Sequence, residues 1–383
     1  MTTFRTALSL AIGASLLACS SYEITDAPSA EIAPAPDASA TDAGGQPQPA
    51  ADGGATSDAG SSDAASDATA APSPVKVAAF AYANNKLADS YTPVASGSYN
   101  SGGGAITATR SGEGVYAIQF GGLVANSGSV QVTAFISNNV CNVASWSKEK
   151  VNVTCFDNAG APADSAYLVR VLLEAPTATA TTVAYARADQ SGQGSYTPDP
   201  AFSYNAAGGA ITATRSATGV YAVDFGGASF SAGANVQVTP YDSDRHCSVQ
   251  PANGSVVNVE CYDATGAAAD SQFMVNVAQV GAGTTNVVAH SYANQAGVAS
   301  YAPNPGYLYS RSGKGATATR SATGRYEITF PDLAHAGGNV LVSAYASAAT
   351  CAAAGWTGDT FKIDCRDRSG AFVDTRYTVA VTK

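Results

Sequence analysis

The stretch that decides the fold is Ala105-Ile-Thr-Ala-Thr-Arg-Ser-Gly-Glu-Gly-Val-Tyr-Ala-Ile-Gln-Phe120. It returns at 210–225 and 315–330, so the chain is three copies of one module. The arginine within it recurs 105 residues apart, as Arg110, Arg215 and Arg320. Aromatic and branched residues alternate with small or polar ones, which predicts a half-buried β-strand. Ser111-Gly-Glu-Gly114 supplies the turn chemistry for a hairpin between two such strands.

The same period of two continues through each copy, and no pattern of helical period and length follows residue 75. About seven short strands in roughly 100 residues indicate an all-β, antiparallel β-sandwich. We therefore predict three tandem sandwiches, immunoglobulin-like or, as the alternative, jelly-roll, because one sequence does not give the pairing order. Short connectors separate the copies, and we expect three self-sufficient units on a string. The predicted modules are 75–175, 180–280 and 284–383.

The amino terminus reads as an export signal. Residues 1–18 carry Arg5 and an apolar run from Ala7 to Ala18, which is too short to cross a bilayer and has the form of a signal peptide. The sequence Leu16-Leu17-Ala18-Cys19 resembles a bacterial lipobox. The resemblance implies cleavage before Cys19, lipid on that residue, and a lipoprotein of the cell envelope. Ser20 resembles the residue found in lipoproteins of the outer membrane. The alternative is an ordinary secreted protein that is cleaved nearby.

Residues 19–74 form an Ala/Asp/Ser/Gly/Pro segment with almost no apolar side chains to bury. The part from Ser20 to Pro74 holds nine acidic residues and no Lys or Arg. Such a composition predicts disorder, and a flexible chain of this length spans about 40 Å. Most of the net charge of −10 comes from this linker. No basic patch points to nucleic acid as a partner.

Seven cysteines leave one thiol unpaired if each copy forms a bridge. The three pairs are Cys141/Cys155, Cys247/Cys261 and Cys351/Cys365, and the seventh is Cys19. An exported protein meets oxidising conditions, so we predict three disulfides, each contributing about 3 kcal/mol. Two thiols per copy without paired histidines do not complete a zinc site. We expect neither a metal nor a cofactor.

Histidine usage argues against a shared catalytic site. His246, His290 and His335 occupy unrelated repeat positions, and the first copy has none. No nucleophile elbow, zinc-protease pair or phosphate-binding loop is present. We therefore predict that the protein is not an enzyme.

Two aspartates and one arginine recur in every copy. Asp157, followed by Gly160, is typical of a turn in which the carboxylate accepts backbone N–H groups. For Asp164 we predict a bridge to Arg110 that joins two loops, since a covered guanidinium needs a carboxylate. The alternatives are a calcium site at the aspartates and, at the arginine, a planar fork for an acidic or hydroxyl-rich ligand.

Repeated aromatic residues give a second candidate binding set. The tyrosines are Tyr91, Tyr196 and Tyr301, and Tyr99, Tyr204 and Tyr309. We favour core residues with bonded hydroxyls, and the alternative is a shelf on which a sugar stacks. Trp146 and Trp356, which have Ala252 as the counterpart in the second copy, are predicted to pack on the disulfides. The tyrosines and Arg110, Arg215 and Arg320 are the candidate binding residues.

The shared pattern of the copies, with I-T-A-T-R-S followed by G-x-Y and the paired cysteines, resembles repeats of secreted and surface-attached bacterial proteins. The resemblance covers 75–383 and implies an extracellular β-module without an established function; Ser310 departs from Asn100 and Asn205. Our first hypothesis is a lipid-anchored protein that binds surface protein or glycan weakly and multivalently. The alternatives are a structural spacer or coat component and, last, an unrecognised hydrolase.

Overall fold

The computed structural model describes residues 75–124, 127–174, 182–230, 234–279, 287–333 and 337–383. The predicted signal peptide, Cys19, the acidic linker and His335 lie outside the described residues. Module 1 is 75–174, module 2 is 182–279 and module 3 is 287–383. Nowhere in these ranges does a helix have the length and hydropathy needed to cross a bilayer.

Within the described residues, each module is built from nine β-strands and one short 3-10 helix. Module 1 contains β1 Val75–Ala83, β2 Ser90–Tyr91, β3 Tyr99–Asn100, β4 Ile106–Gly112, β5 Val115–Phe120, β6 Ser129–Phe135, β7 Val140–Ser147, β8 Lys150–Phe156 and β9 Ala166–Glu174. Module 2 contains β10 Thr182–Ala188, β11 Ser195–Tyr196, β12 Ser203–Asn205, β13 Ile211–Ala217, β14 Val220–Phe225, β15 Ala234–Tyr241, β16 His246–Asn253, β17 Val256–Tyr262 and β18 Gln272–Gln279.

Module 3 repeats the same order. Its strands are β19 Val287–Ala293, β20 Ser300–Tyr301, β21 Leu308–Ser310, β22 Thr317–Ala322, β23 Arg325–Thr329, β24 Asn339–Tyr345, β25 Thr350–Thr357, β26 Thr360–Arg366 and β27 Arg376–Thr382. The 3-10 turns are Ala95–Gly97, Pro200–Phe202 and Pro305–Tyr307. The all-β prediction is confirmed.

Two antiparallel half-sheets enclose a core in every module. In module 1, the order β3-β1-β9-β6 faces the order β7-β8-β5-β4-β2. The prediction that the alternating aromatic and branched residues face the core is confirmed, since Ile118, Phe120 and Val153 have no exposed surface. The first and last strands of the module pair with each other, whereas the immunoglobulin order places them in different sheets. The sandwich architecture was therefore predictable, and the strand order was not.

The half-sheets continue from one module into the next. Three nine-stranded sheets result, each joining the five-stranded half of one module to the four-stranded half of another. The joins, which we call seams, are the parallel pairs β7/β15, β16/β24 and β25/β6. Backbone hydrogen bonds cross each seam: Asp242, Ala346 and Ile136 donate N–H groups to the carbonyls of Val143, Val249 and Ala353 at 2.8 Å. Modules 1, 2 and 3 are thus linked in a closed ring.

Three side-chain hydroxyls link the modules in the same cyclic order, at the place where β6, β15 and β24 meet. The N–H of Val132 donates to Thr239 Oγ1 at 3.1 Å, that of Val238 to Ser343 Oγ at 3.0 Å, and that of Val342 to Thr133 Oγ1 at 3.1 Å. We call this set the hydroxyl cycle. All three hydroxyl residues are buried, so each satisfies a backbone donor that water does not reach.

The expectation of self-sufficient units on a string is wrong. The outward faces of β6, β15 and β24 are buried against neighbouring modules, together with the polar side chains of Gln131, Asn235 and Gln237. Removing one module would leave these groups and two sheet edges unpaired. The described residues from 75 to 383 accordingly fall in one compact unit.

Two buried histidines have pKa values below the usual range. His246 Nε2 lies 2.7 Å from the carbonyl of Ala348 across a seam, so this nitrogen carries the hydrogen. Burial, and secondly the charge of Arg368, lowers the pKa of His246 to about 4. Burial likewise lowers the pKa of His290 to about 4.

We predict that the free energy of unfolding decreases as pH falls from about 6.5 to 4. The unfolded chain binds protons in this window and the folded chain does not, which costs on the order of 3 kcal/mol per histidine. His290→Phe, which copies Phe80 of module 1, should flatten the dependence in urea titrations at pH 7 and pH 4.5. A variant that loses as much stability as the parent between these pH values would contradict this assignment.

Candidate functional site

The repeated arginine, tyrosine and aspartate meet in one cluster in every module. In module 1, Arg110 Nε and Nη2 donate to the two carboxylate oxygens of Asp164 at 2.9 and 2.8 Å. The Gly114 N–H and the Tyr116 hydroxyl also donate to Asp164 Oδ1, at 2.9 and 2.8 Å. The Ser165 N–H then donates to the Tyr116 oxygen at 3.0 Å. The predicted Arg–Asp bridge is confirmed, and it is bidentate.

The turn glycine is required at this cluster for two reasons. Gly114 has a φ of 67°, which favours glycine. A Cβ atom there would lie 2.4 Å from the Cys155 carbonyl oxygen, so a larger residue would displace the loop. The same arrangement recurs in modules 2 and 3 with Arg215, Gly219, Tyr221 and Asp270, and with Arg320, Gly324, Tyr326 and Asp374.

Charge and burial shift the pKa values in this cluster in opposite directions. The hydrogen bonds from Arg110 lower the pKa of Asp164 to about 2. Burial raises the pKa of Tyr221, and that of Tyr326, to about 12. The carboxylate therefore stays ionised and the hydroxyl stays protonated at neutral pH. The guanidinium group of each repeated arginine is therefore bound to an aspartate of its own module and not directed at a ligand.

The cysteine pairs and the first aspartate of each turn lie beside these clusters. Disulfides join Cys141 to Cys155, Cys247 to Cys261 and Cys351 to Cys365, as predicted. Asp157 Oδ1 accepts the N–H groups of Ala159 and Ala161 at 2.8 and 2.9 Å, which is the expected turn bonding. Within the described ranges, no group of three or more His, Cys, Asp or Glu side chains could hold a metal ion.

The first set of candidate tyrosines is bonded to its own loops. The Tyr91 hydroxyl accepts the Asn85 N–H at 3.1 Å, and the ring packs against the core of module 1. Tyr196 and Tyr301 accept the N–H groups of Gln190 and Gln295 at the same distance. These contacts match the preferred prediction of core tyrosines with bonded hydroxyls.

The second set differs among the three modules. Tyr99, Tyr204 and Tyr309 each stack on the facing residue of the neighbouring strand, which is Phe80, Tyr185 or His290. Tyr204 is only 8% exposed, whereas Tyr99 is 41% exposed. Tyr309 is half-buried. Among these three positions, the ring of Tyr99 is therefore the one most open to a ligand.

The Tyr99 ring lines a cleft of about 330 Å³ between modules 1 and 3. Phe80 stacks behind it, with ring centroids 5.8 Å apart. Ser98 Oγ is buried and has no hydrogen-bond partner among the described residues. Gly338 donates its N–H to the Ser96 carbonyl at 2.7 Å and so holds the two modules together there. The lining residues are Phe80, Ser96, Ser98, Tyr99, Gly337, Gly338 and Lys383. We call this the Tyr99 cleft.

The tryptophans make their ring contacts across the seams. Trp146 lies 5.5 Å from Phe202 of module 2, and Trp356 lies 5.6 and 5.9 Å from Phe135 and Tyr82 of module 1. The predicted packing on disulfides overlooked these partners in neighbouring modules. At the third seam Ala252 replaces tryptophan, and the nearby ring contacts of Tyr292 with Tyr307 and Tyr345 lie within module 3.

Comparisons with known proteins add no assignment. No family model, curated protein or solved structure matches this chain.

We predict that Asp164→Asn lowers the free energy of unfolding by about 2 kcal/mol. The reason is that the Asp164 carboxylate accepts four hydrogen bonds, and the substitution removes its negative charge. The Asp157→Asn variant is the matched control, because an amide oxygen still accepts the two turn N–H groups. Chemical denaturation at pH 7 measures both. Because the Asp164 pKa is lowered, the difference from the parent should shrink as pH falls from about 3.8 towards 2. Equal losses in the two variants would contradict the special role of Asp164.

Proposed function

We propose that this chain is an exported, lipid-anchored envelope protein without catalytic function, which binds carbohydrate weakly through the Tyr99 cleft. The observation that carries the proposal is the exposed Tyr99 ring beside an apolar partner and a cleft of about 330 Å³. Pockets of roughly this size accommodate small ligands.

The chemistry of the cleft favours a sugar ring over a purely apolar ligand. An exposed aromatic face accepts the C–H face of a pyranose, and polar groups at the edge bind its hydroxyls. The hydroxyl of Ser96, an exposed residue at the edge of the cleft, supplies such a group. One aromatic face gives modest affinity, so useful binding would come from many chains anchored on one membrane. Protein is the alternative ligand class.

A purely structural role is the second candidate. It is favoured by the internal use of the repeated residues, since the arginines, the aspartates and most of the tyrosines are already bonded. The edge strands β2, β11 and β20 are two residues long, which discourages pairing with other chains. A spacer or coat component would need no more than this.

We predict that the parent protein binds at least one member of a panel of neutral oligosaccharides, including chitohexaose and cellohexaose, in ligand-observed NMR. Tyr99→Ala should weaken this binding about tenfold, whereas Tyr99→Phe should retain it. Tyr309→Ala, the same change at the equivalent position of module 3, is the matched control. Absence of binding to the whole panel would favour the spacer, and equal effects at Tyr99 and Tyr309 would exclude the cleft as the site.

The anchor has a separate test. We predict that the parent protein fractionates with membranes and that Cys19→Ser releases it, because the proposed lipid is attached there. Mass spectrometry of the mature protein should find acyl groups on Cys19 and no free thiol at the six paired positions. A mature protein without lipid would support the ordinary secreted form.

A further inference from the structure

The turn between β7 and β8 distinguishes module 1 from its two counterparts. Lys148 occupies this turn with a φ of 48°, whereas the equivalent residues are Gly254 at 62° and Gly358 at 57°. A left-handed backbone is unfavourable for every residue with a Cβ atom, and glycine avoids the strain. Module 1 alone retains a strained lysine where the same fold accepts glycine.

A cavity of about 490 Å³ lies beside this turn. Val124, which contributes to its wall, is 75% exposed and is the most exposed large hydrophobic side chain in the described ranges. Leu123 lies next to it and is buried. The cavity therefore presents an apolar wall of a size that small ligands occupy.

The charged side chains around the cavity differ in whether they are bonded to other residues of the chain. Glu149 accepts the Gly122 N–H at 3.0 Å and the Gln119 amide at 2.6 Å, which fixes its carboxylate on the neighbouring loop. Lys148 and Lys150 are exposed, and neither forms an ion pair with a carboxylate of the described chain. The rim therefore carries a net positive charge.

Neither counterpart reproduces this combination. Module 2 has Gly254 and Val256 at the positions of Lys148 and Lys150, and module 3 has Gly358 and Thr360. The two lysines are thus additions to module 1 that the fold does not need. Both line the same cavity as the exposed valine.

We propose that this cavity binds an organic anion that carries an apolar group, with one site per chain. The apolar part contacts Leu123 and Val124, and the anionic part lies between Lys148 and Lys150. This site is separate from the Tyr99 cleft, and neither proposal requires the other. The strain at Lys148 is then explained, since glycine would remove one of the two charges that hold the anion.

The test uses the full chain with naphthalene-2-sulfonate as the probe and 2-naphthol as the neutral match, measured by ligand-observed NMR and calorimetry. Lys148→Gly should weaken binding of the sulfonate about fivefold, as expected for an exposed ion pair, while raising Tm by about 2 °C. Lys150→Gln should weaken binding of the sulfonate to a similar extent without raising Tm. Lys86→Gln, a lysine on another loop of module 1, is the matched control and should leave binding unchanged.

Three results would overturn the proposal. The first is a sulfonate that does not bind the parent protein at millimolar concentration. The second is 2-naphthol binding as tightly as the sulfonate, which would remove the role of charge. The third is a Lys148→Gly variant that gains stability but binds the sulfonate as well as the parent does.

Discussion

The structure depends on the satisfaction of buried backbone donors by side chains from a different module. In the hydroxyl cycle, Thr133, Thr239 and Ser343 each accept an N–H from the preceding module in the ring. An unsatisfied donor at such a site costs about 1–3 kcal/mol, so partial assembly of the ring is unfavourable. The seams and the tryptophan contacts also join neighbouring modules, and they form only when those modules are in place.

Repetition in this protein separates structural residues from candidate functional ones. The residues that recur in all copies, such as Arg110 and Asp164, are engaged with each other inside the module. The candidate sites arise where the copies differ, at the exposed ring of Tyr99 and at Lys148.

Much of each module could be predicted from the sequence. The strand faces, the disulfides and the Arg–Asp bridge followed from alternation, cysteine spacing and the need of a covered guanidinium for a carboxylate. The seams did not follow, because Gln131 and Thr133 alternate with apolar residues as solvent-facing side chains do. Arg170 is the extreme case, since it occupies an outward position of β9 and is only 2% exposed. The sequence feature that could have indicated the seams is the absence of charged residues on the outward faces of β6, β15 and β24.

Closure of the ring fixes the number of copies. Every module offers one seam-forming edge on each of its two half-sheets, and three modules pair all of these seam-forming edges. A gene that lost a copy by recombination would encode a protein with two unmatched edges, prone to join other molecules. A gene that gained one would need a wider ring and a different centre. The three modules therefore depend on one another for closure, whatever differences in sequence they carry.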